Sequence, residues 1–197
     1  MEGNIVFNLG LWDGVFDVNA VDKLSLSSYS YTVQHLKKQN TIIPPGTLAS
    51  LCSMNMILKR EVIPALYQFP MNESVIPNWT IDRYGDIWGG FVCKKLIDIR
   101  GDNLSIGEPR IMHHKNDTQA GILRNITQEH YAHIVNLQFC DLLDAACLNI
   151  PPDNYLNMYK NLVDNLYTLR DQWPDEMSAY LVPTLKKMKQ WTKILDK

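Results

Sequence analysis

Apolar and polar positions fall first at strand-like and later at helical spacings along the chain. Ile5-Val6-Phe7 followed by Leu9-Gly10-Leu11-Trp12 predicts a buried strand running into a turn at Asp13-Gly14. A short helix is expected from Asp17 through Val21 and Leu24. Residues 25–40, rich in Ser, Tyr, Gln and Lys, keep no period and predict an exposed connection. Thr41-Ile42-Ile43 enters a rigid turn at Pro44-Pro45-Gly46, because proline cannot continue a ladder. Residues 53–58 form a β-compatible run interrupted by Asn55, whose amide must find partners if buried. It either ties down a neighbouring loop or faces a polar ligand at the sheet edge. Residues 62–66 predict a short helix that tolerates Pro64 in its first turn, and residues 70–77 a loop.

The chain is organised around Ile81-Asp82-Arg83-Tyr84-Gly85-Asp86-Ile87-Trp88-Gly89-Gly90-Phe91. Asp86 stands where an N-cap is expected, and Trp88, Val92, Leu96 and Ile99 follow at helical spacing. Gly89 and Gly90 fall inside the first turns, where each glycine costs about 1 kcal/mol relative to alanine. Something must therefore approach the helix backbone closely, another element or a ligand. The helix leaves through Gly101, which accounts for the Arg100-Gly101-Asp102 tripeptide without an adhesion role. Two short strands, 104–106 and 109–112, end in His113-His114-Lys115-Asn116-Asp117. Open α/β sheets place ligands at such strand ends, so a metal or phosphate role stays open there. Residues 128–148 read as an apolar helix broken by Pro151-Pro152, and Asp153 as the cap of the next. Pro174 and Pro183 punctuate a tail whose last helix carries Leu185, Met188, Trp191 and Ile194 on one face. These later stripes read as core or oligomer surface without chemistry. The order of elements predicts an α/β fold.

Composition narrows the class. The 197 residues suit one domain with a helical appendage, and 46% hydrophobic with 20% charged content is ordinary for a globular protein. A net charge of −2 and no basic run argue against nucleic acid as a partner. No apolar run is long enough to span a bilayer, and Met1-Glu2-Gly3-Asn4 does not open like a signal peptide. Cys52, Cys93, Cys140 and Cys147 form no CxxC pair, so free thiols are expected. These features favour a cytoplasmic protein. Sequons at Asn72, Asn78, Asn103, Asn116 and Asn125 keep a Golgi-associated or lumenal one open.

Five stretches in order resemble the reversibly glycosylated polypeptides, the plant UDP-arabinopyranose mutases and their relatives. They are Gly10-Leu11-Trp12, residues 42–48, Cys52-Ser53-Met54-Asn55, residues 83–90, and residues 107–113. The resemblance covers roughly residues 2–145 and implies a partial GT-A-like (nucleotide-diphospho-sugar transferase) fold, with a mixed sheet, flanking helices and a helical C-terminal tail. It divides the chain into an acceptor-side half, 1–148, and a helical extension, 149–197. It also implies roles for matching positions. Asp86 would be the catalytic base or a hydroxyl-binding carboxylate at the sugar. Arg83 and Tyr84 would border the pocket, Trp88 would wall it, Asn55 would face the sugar and Lys115 would neutralise phosphate. His113 would hold a Mn²⁺ or Mg²⁺ bridged to the diphosphate.

Two departures accompany the resemblance. Gly85 stands where the family has the first of two aspartates, and Met1 stands where it has the arginine that becomes glycosylated. The nucleotide-binding half of the family, with its acidic metal motif, lies before the matched region. Three functions are therefore expected to compete. The first is the acceptor-side half of a UDP-sugar transferase or mutase, a fragment of a longer protein active only with its missing half. The second is a catalytically inactive binding or scaffold domain, paired as a homo- or hetero-oligomer with an active relative. The third is an unrelated α/β domain.

Overall fold

The structure, a computed structural model, describes residues 3–14, 19–26, 40–71, 73–76, 79–114, 118–173 and 175–197. Strand β1 (Ile5–Gly14) buries Val6, Phe7 and Leu9 and lies at the centre of a mixed four-stranded sheet. The short β2 (Thr41–Ile42) pairs antiparallel with β6 (Asn103–His113), β6 runs parallel to β1, and β3 (Met56–Leu58) closes the far edge antiparallel to β1. A separate hairpin joins β4 (Glu73–Ile76) to β5 (Trp79–Ile81), so a strand occupies half of the span expected to be loop. The two short strands expected over 104–112 are one continuous β6. Gly10 faces Gly107 but Trp12 faces Ile111, so β6 carries extra residues there. Pro109, which has no N–H to give the ladder, lies within that irregularity.

Around the sheet pack α1 (Ala20–Leu26), α2 (Gly85–Arg100), α3 (Gln119–Cys147), α4 (Tyr155–Thr168) and α5 (Asp175–Leu195), with 3-10 turns at Arg60–Ala65 and Leu169–Gln172. Asp17 and most of the expected 25–40 connection lie outside the described residues. Asn19 performs the capping at α1: its Oδ1 accepts from the Asp22 amide at 3.0 Å. Helix α3 begins well before the expected residue 128, because Thr118 caps it by accepting from the Gly121 amide at 3.1 Å. Asn154, rather than Asp153, caps α4, accepting from the Asn157 amide at 2.9 Å. Pro183 does not end a helix either. It lies inside α5, where burial of Met177, Tyr180, Leu181, Leu185 and Met188 outweighs a penalty of about 3 kcal/mol for an interior proline. Gly101 leaves α2 in the left-handed conformation at φ 77°, as the exit pattern predicts.

One apolar cluster joins Phe7 and Leu104 of the sheet to Trp88, Phe139, Leu162 and Leu181 of four helices. Its centre is Trp88, fully buried and stacked on Phe139 with centroids 4.4 Å apart. The double glycine of α2 lets other backbone reach the helix axis. A Cβ on Gly89 would sit 2.5 Å from the Tyr67 carbonyl oxygen, and one on Gly90 would sit 2.4 Å from the Leu51 nitrogen. The close neighbour inferred for this helix is therefore the 49–51 and 67–68 backbone. One turn further on, Lys94 is 1% exposed and forms an ion pair with Asp98. Its Nζ donates to the Pro44 carbonyl at 3.1 Å, and the Asp98 carboxylate accepts from the Gly46 amide at 3.0 Å. The Pro44-Pro45-Gly46 turn is thus fastened to α2, and the segment after it passes under Gly90.

Two outcomes follow from this packing. Gly90→Ala should lower stability by about 1–3 kcal/mol despite the better helix propensity of alanine, read as a lower urea midpoint at unchanged slope. Asp98→Ala, which strands a buried ammonium, should cost about 3–5 kcal/mol, while Lys94→Met, which removes the charge and keeps the stem, should cost clearly less.

Candidate functional site

Helices α2 and α3 meet through a row of polar pairs. Successive turns of α3 bring Glu129, His133 and Asn136 to one face. The start of α2 opposes them with Arg83, Tyr84 and Trp88. Arg83 Nε donates to Glu129 Oε1 at 2.9 Å, Tyr84 Oη and His133 Nδ1 are 2.7 Å apart, and Trp88 Nε1 donates to Asn136 Oδ1 at 2.9 Å. Glu129 Oε2 accepts from the Ala20 amide at 2.9 Å, so one buried carboxylate ties α1, α3 and the entrance of α2 together. A buried carboxylate is tolerable here because both of its oxygens are satisfied, one of them by a cation.

Over this row opens a cavity of about 180 Å³ whose wall includes Arg83, Tyr84, Asp86, Glu129 and His133, with Trp12 and Cys52 among the residues completing it. A second hollow of about 200 Å³, floored by Gln68 and Met71, shares Arg83 and Asp86 with the first. Arg83 is the one non-glycine residue with positive φ among those described, at 60°. That conformation costs about 1–2 kcal/mol. It is held by the Arg83 amide donating to Asp82 Oδ1 at 2.8 Å and by the guanidinium on Glu129. Strain so placed, between two hollows, is typical of a residue whose direction matters more than its backbone comfort.

Of the residues singled out in the sequence, Arg83, Tyr84 and Asp86 come together on one cavity wall. Asp86 is not the cap of α2. The helix begins at Gly85, straight out of the left-handed turn, and Asp86 Oδ1 accepts from the Ile87 amide at 2.9 Å. Trp88 does not wall the pocket, since its ring belongs to the core and its N–H is committed to Asn136. Asn55 ties the loop: its Nδ2 donates to the Leu11 carbonyl at 2.7 Å and its own carbonyl accepts from the Gly10 amide at 2.9 Å. His113 ends β6 with its ring edge-on to Trp12, centroids 6.2 Å apart, and Trp12 lines the cavity while His113 itself is not among its lining residues. Lys115 lies outside the described residues. Among the described residues no group of three or more His, Cys, Asp or Glu could hold a metal ion. The cation expected at His113 thus has no such cluster of described residues around it, and Asp117, close to it in the chain, lies outside the described residues.

Glu129, His133 and Asn136 were not legible as site residues, because α3 reads as an apolar helix without chemistry. The available signal was an acid and a histidine four apart inside that pattern. The four cysteines are free, with Cys93 and Cys147 buried, as expected. The sequon at Asn103 starts β6 with its side chain buried, and Ser105 is buried two residues on, so it is closed to modification in the folded chain. Among the described residues no helix is long and apolar enough to cross a membrane.

Burial, then the charges of Glu129 and Cys140, push the Tyr84 hydroxyl up from 10.0 to about 12. A folded value above the ordinary one means that the neutral phenol stabilises the fold fully below pH 10, and that this contribution is lost as pH climbs from 10 through about 12. The phenolate absorbance difference between the wild type and Tyr84→Phe should therefore be absent at pH 10, where an exposed tyrosine is half ionised.

The chain matches the family described as reversibly glycosylated polypeptide over residues 2–196, a span that includes the two terminal helices. It is 34% identical over 113 residues to UDP-arabinopyranose mutase 3 of Arabidopsis thaliana, which is 54% of this chain and 28% of that protein. It is 34% identical over 163 residues to the probable UDP-arabinopyranose mutase 2 of Solanum tuberosum, covering 81% of this chain and 43% of the relative. With UDP-arabinopyranose mutase 1 of Arabidopsis thaliana it shares 34% identity over 107 residues, again 28% of the relative. The chain thus spans less than half the length of these curated relatives. The α/β architecture, with its mixed sheet and flanking helices, is consistent with part of a GT-A-like fold. This chain belongs to the reversibly glycosylated polypeptide family.

Proposed function

We propose that the chain forms the sugar-binding side of a UDP-sugar mutase or transferase site, with the sugar ring seated against Arg83, Tyr84 and Asp86. The carrying observation is the cavity at the entrance of α2, where a strained arginine, a phenol and a carboxylate share one wall. Its size supports a ring rather than a whole nucleotide sugar. Pockets that enclose a complete ligand run to about 300–1,000 Å³, against about 180 Å³ here. The adjoining hollow, reached past Arg83 and Asp86, is open to the remainder of the ligand. The names of the relatives, UDP-arabinopyranose mutases, point to a UDP-pentose as the first ligand to try.

The charged wall residues Asp86 and Arg83 each have a task in such a complex. Asp86, near the helix N-terminus, accepts hydrogen bonds from ring hydroxyls and can take a proton from one of them. The fixed charge of Arg83 lies where a diphosphate would leave the cavity. Holding the ring against these groups supplies the positioning that transfer or ring contraction requires. A second reading, a catalytically inactive domain that associates with an active relative, is favoured by the outer face of α3. There Leu123, Ile134 and Leu137 are at least half exposed, and Leu148, 80% exposed, continues the stripe just past the helix end.

Calorimetric titration with UDP-arabinopyranose decides between them. Binding should be measurable in the wild type and weakened by about 10- to 100-fold in Asp86→Ala, the loss of a charge-assisted hydrogen bond. A scaffold would give no heat with either protein. Repeating the titration with Mn²⁺, on wild type and His113→Ala, checks the cation expected at the end of β6.

A further inference from the structure

The hydrogen bond between Tyr84 and His133 can run in either direction, and its neighbours decide which. Tyr84 Oη and His133 Nδ1 are 2.7 Å apart, and the rings meet edge-on with centroids 5.3 Å apart. Both side chains line the cavity. The other ring nitrogen, Nε2, lies 3.8 Å from Glu129 Oε2. Glu129 is itself fixed by Arg83 and the Ala20 amide, so it cannot turn away. A carboxylate facing Nε2 favours the tautomer that carries its proton there. Nδ1 is then an acceptor, the phenol donates to it, and the oxygen lone pairs of Tyr84 are left to the cavity.

We infer that His133 is a positioning residue that makes Tyr84 an acceptor for a hydroxyl of the bound sugar, and that protonation of His133 turns Tyr84 into a donor. This rests on the sugar-binding function proposed above. A protonated imidazole carries N–H at both nitrogens, so Nδ1 donates to the phenol oxygen and the phenol proton swings into the cavity. No covalent bond between heavy atoms changes, and none of those atoms needs to move. One proton on His133 exchanges donor for acceptor at one point of the wall. The His133 side chain is 42% exposed, so that proton comes directly from solvent. The other charged or titratable groups on the wall are Cys52, from the segment before β3, Arg83 and Asp86, from the entrance of α2, and Glu129, one turn earlier on α3. Helix α1, packed on α3, adds Asp22 and the buried Lys23. Tyr84 remains neutral throughout, because burial holds its phenol far above the range in which imidazole titrates. The ligand class follows from the chemistry. With His133 neutral the site prefers a ring position bearing a hydroxyl, which can donate, over a fluoro or keto position, which can only accept.

The test uses the full chain in two arms. In the first, ¹⁵N-edited NMR of the imidazoles, with His133 assigned through His133→Gln, should show the neutral Nε2–H tautomer and a His133 signal that moves in Tyr84→Phe. In the second, UDP-arabinopyranose is titrated about one pH unit above and below the His133 midpoint found by NMR. The affinities should differ by about tenfold, the worth of one hydrogen bond. That gap should close in both Tyr84→Phe and His133→Gln, each binding more weakly than the wild type but equally at the two pH values. A neutral Nδ1–H tautomer for His133 overturns the inference whatever the sugar does. A pH gap that survives in Tyr84→Phe also overturns it, with sugar binding left standing. Absence of binding at either pH overturns the proposed function, and the sugar contact inferred here falls with it.

Discussion

The Glu129 carboxylate, buried between the Arg83 guanidinium and the Ala20 amide, is the interaction on which the site depends. It lies at the junction of three elements that share no sequence neighbourhood. Remove it and Arg83 loses the partner that holds its left-handed backbone, α1 loses the acceptor at its first amide, and His133 loses the group that orients its ring. Burying a carboxylate is tolerable only where its oxygens have donors, and here the donors to both oxygens come from the very segments that form or flank the cavity wall. Stability and site geometry are therefore coupled through one side chain.

The core explains why the junction is where it is. Trp88 stacks on Phe139 and fixes the distance between α2 and α3, while its indole N–H reaches Asn136 on the same α3 face as Glu129 and His133. Gly89 and Gly90 let the 49–51 and 67–68 backbone lie directly on α2, which brings the neighbouring Cys52 and Gln68 to the two hollows. The pair of buried Lys94 with half-buried Asp98 anchors the Pro44-Pro45-Gly46 turn from which that segment starts. Two rows of contacts on α2, one apolar and one polar, thus set both the fold and the placement of the polar wall.

Much of this was legible from local pattern. Strand β1, helix α2 with its glycine exit, and the close backbone approach at Gly89-Gly90 all follow from short-range spacing and residue type. So do Arg83, Tyr84 and Asp86 as neighbours at a helix entrance. Elements whose form depends on distant partners were not legible. Strand β6 is continuous because β1 lies beside it across the irregularity at Pro109, β4 exists because β5 pairs with it, and Pro183 stays helical because the side chains around it are buried. Trp88 and Asn55 were placed at the ligand by resemblance. The structure commits the first to the core and the second to the Leu11 carbonyl.

What the sequence determined by itself is what lies within a few residues: periodicity, caps, turns and the order of motifs that carries the family. Those terms act through local sterics and hydrogen bonding, so a linear reading reaches them. Only the tertiary structure decided that Glu129 and His133, 46 and 49 residues beyond Arg83 and Tyr84, complete the same wall. A glutamate and a histidine on an apolar helix have no fixed role until packing removes water from one face and leaves a carboxylate that must be paired. The physical reason is desolvation. It is a property of what surrounds a side chain in space, and the one-dimensional order of residues does not contain it.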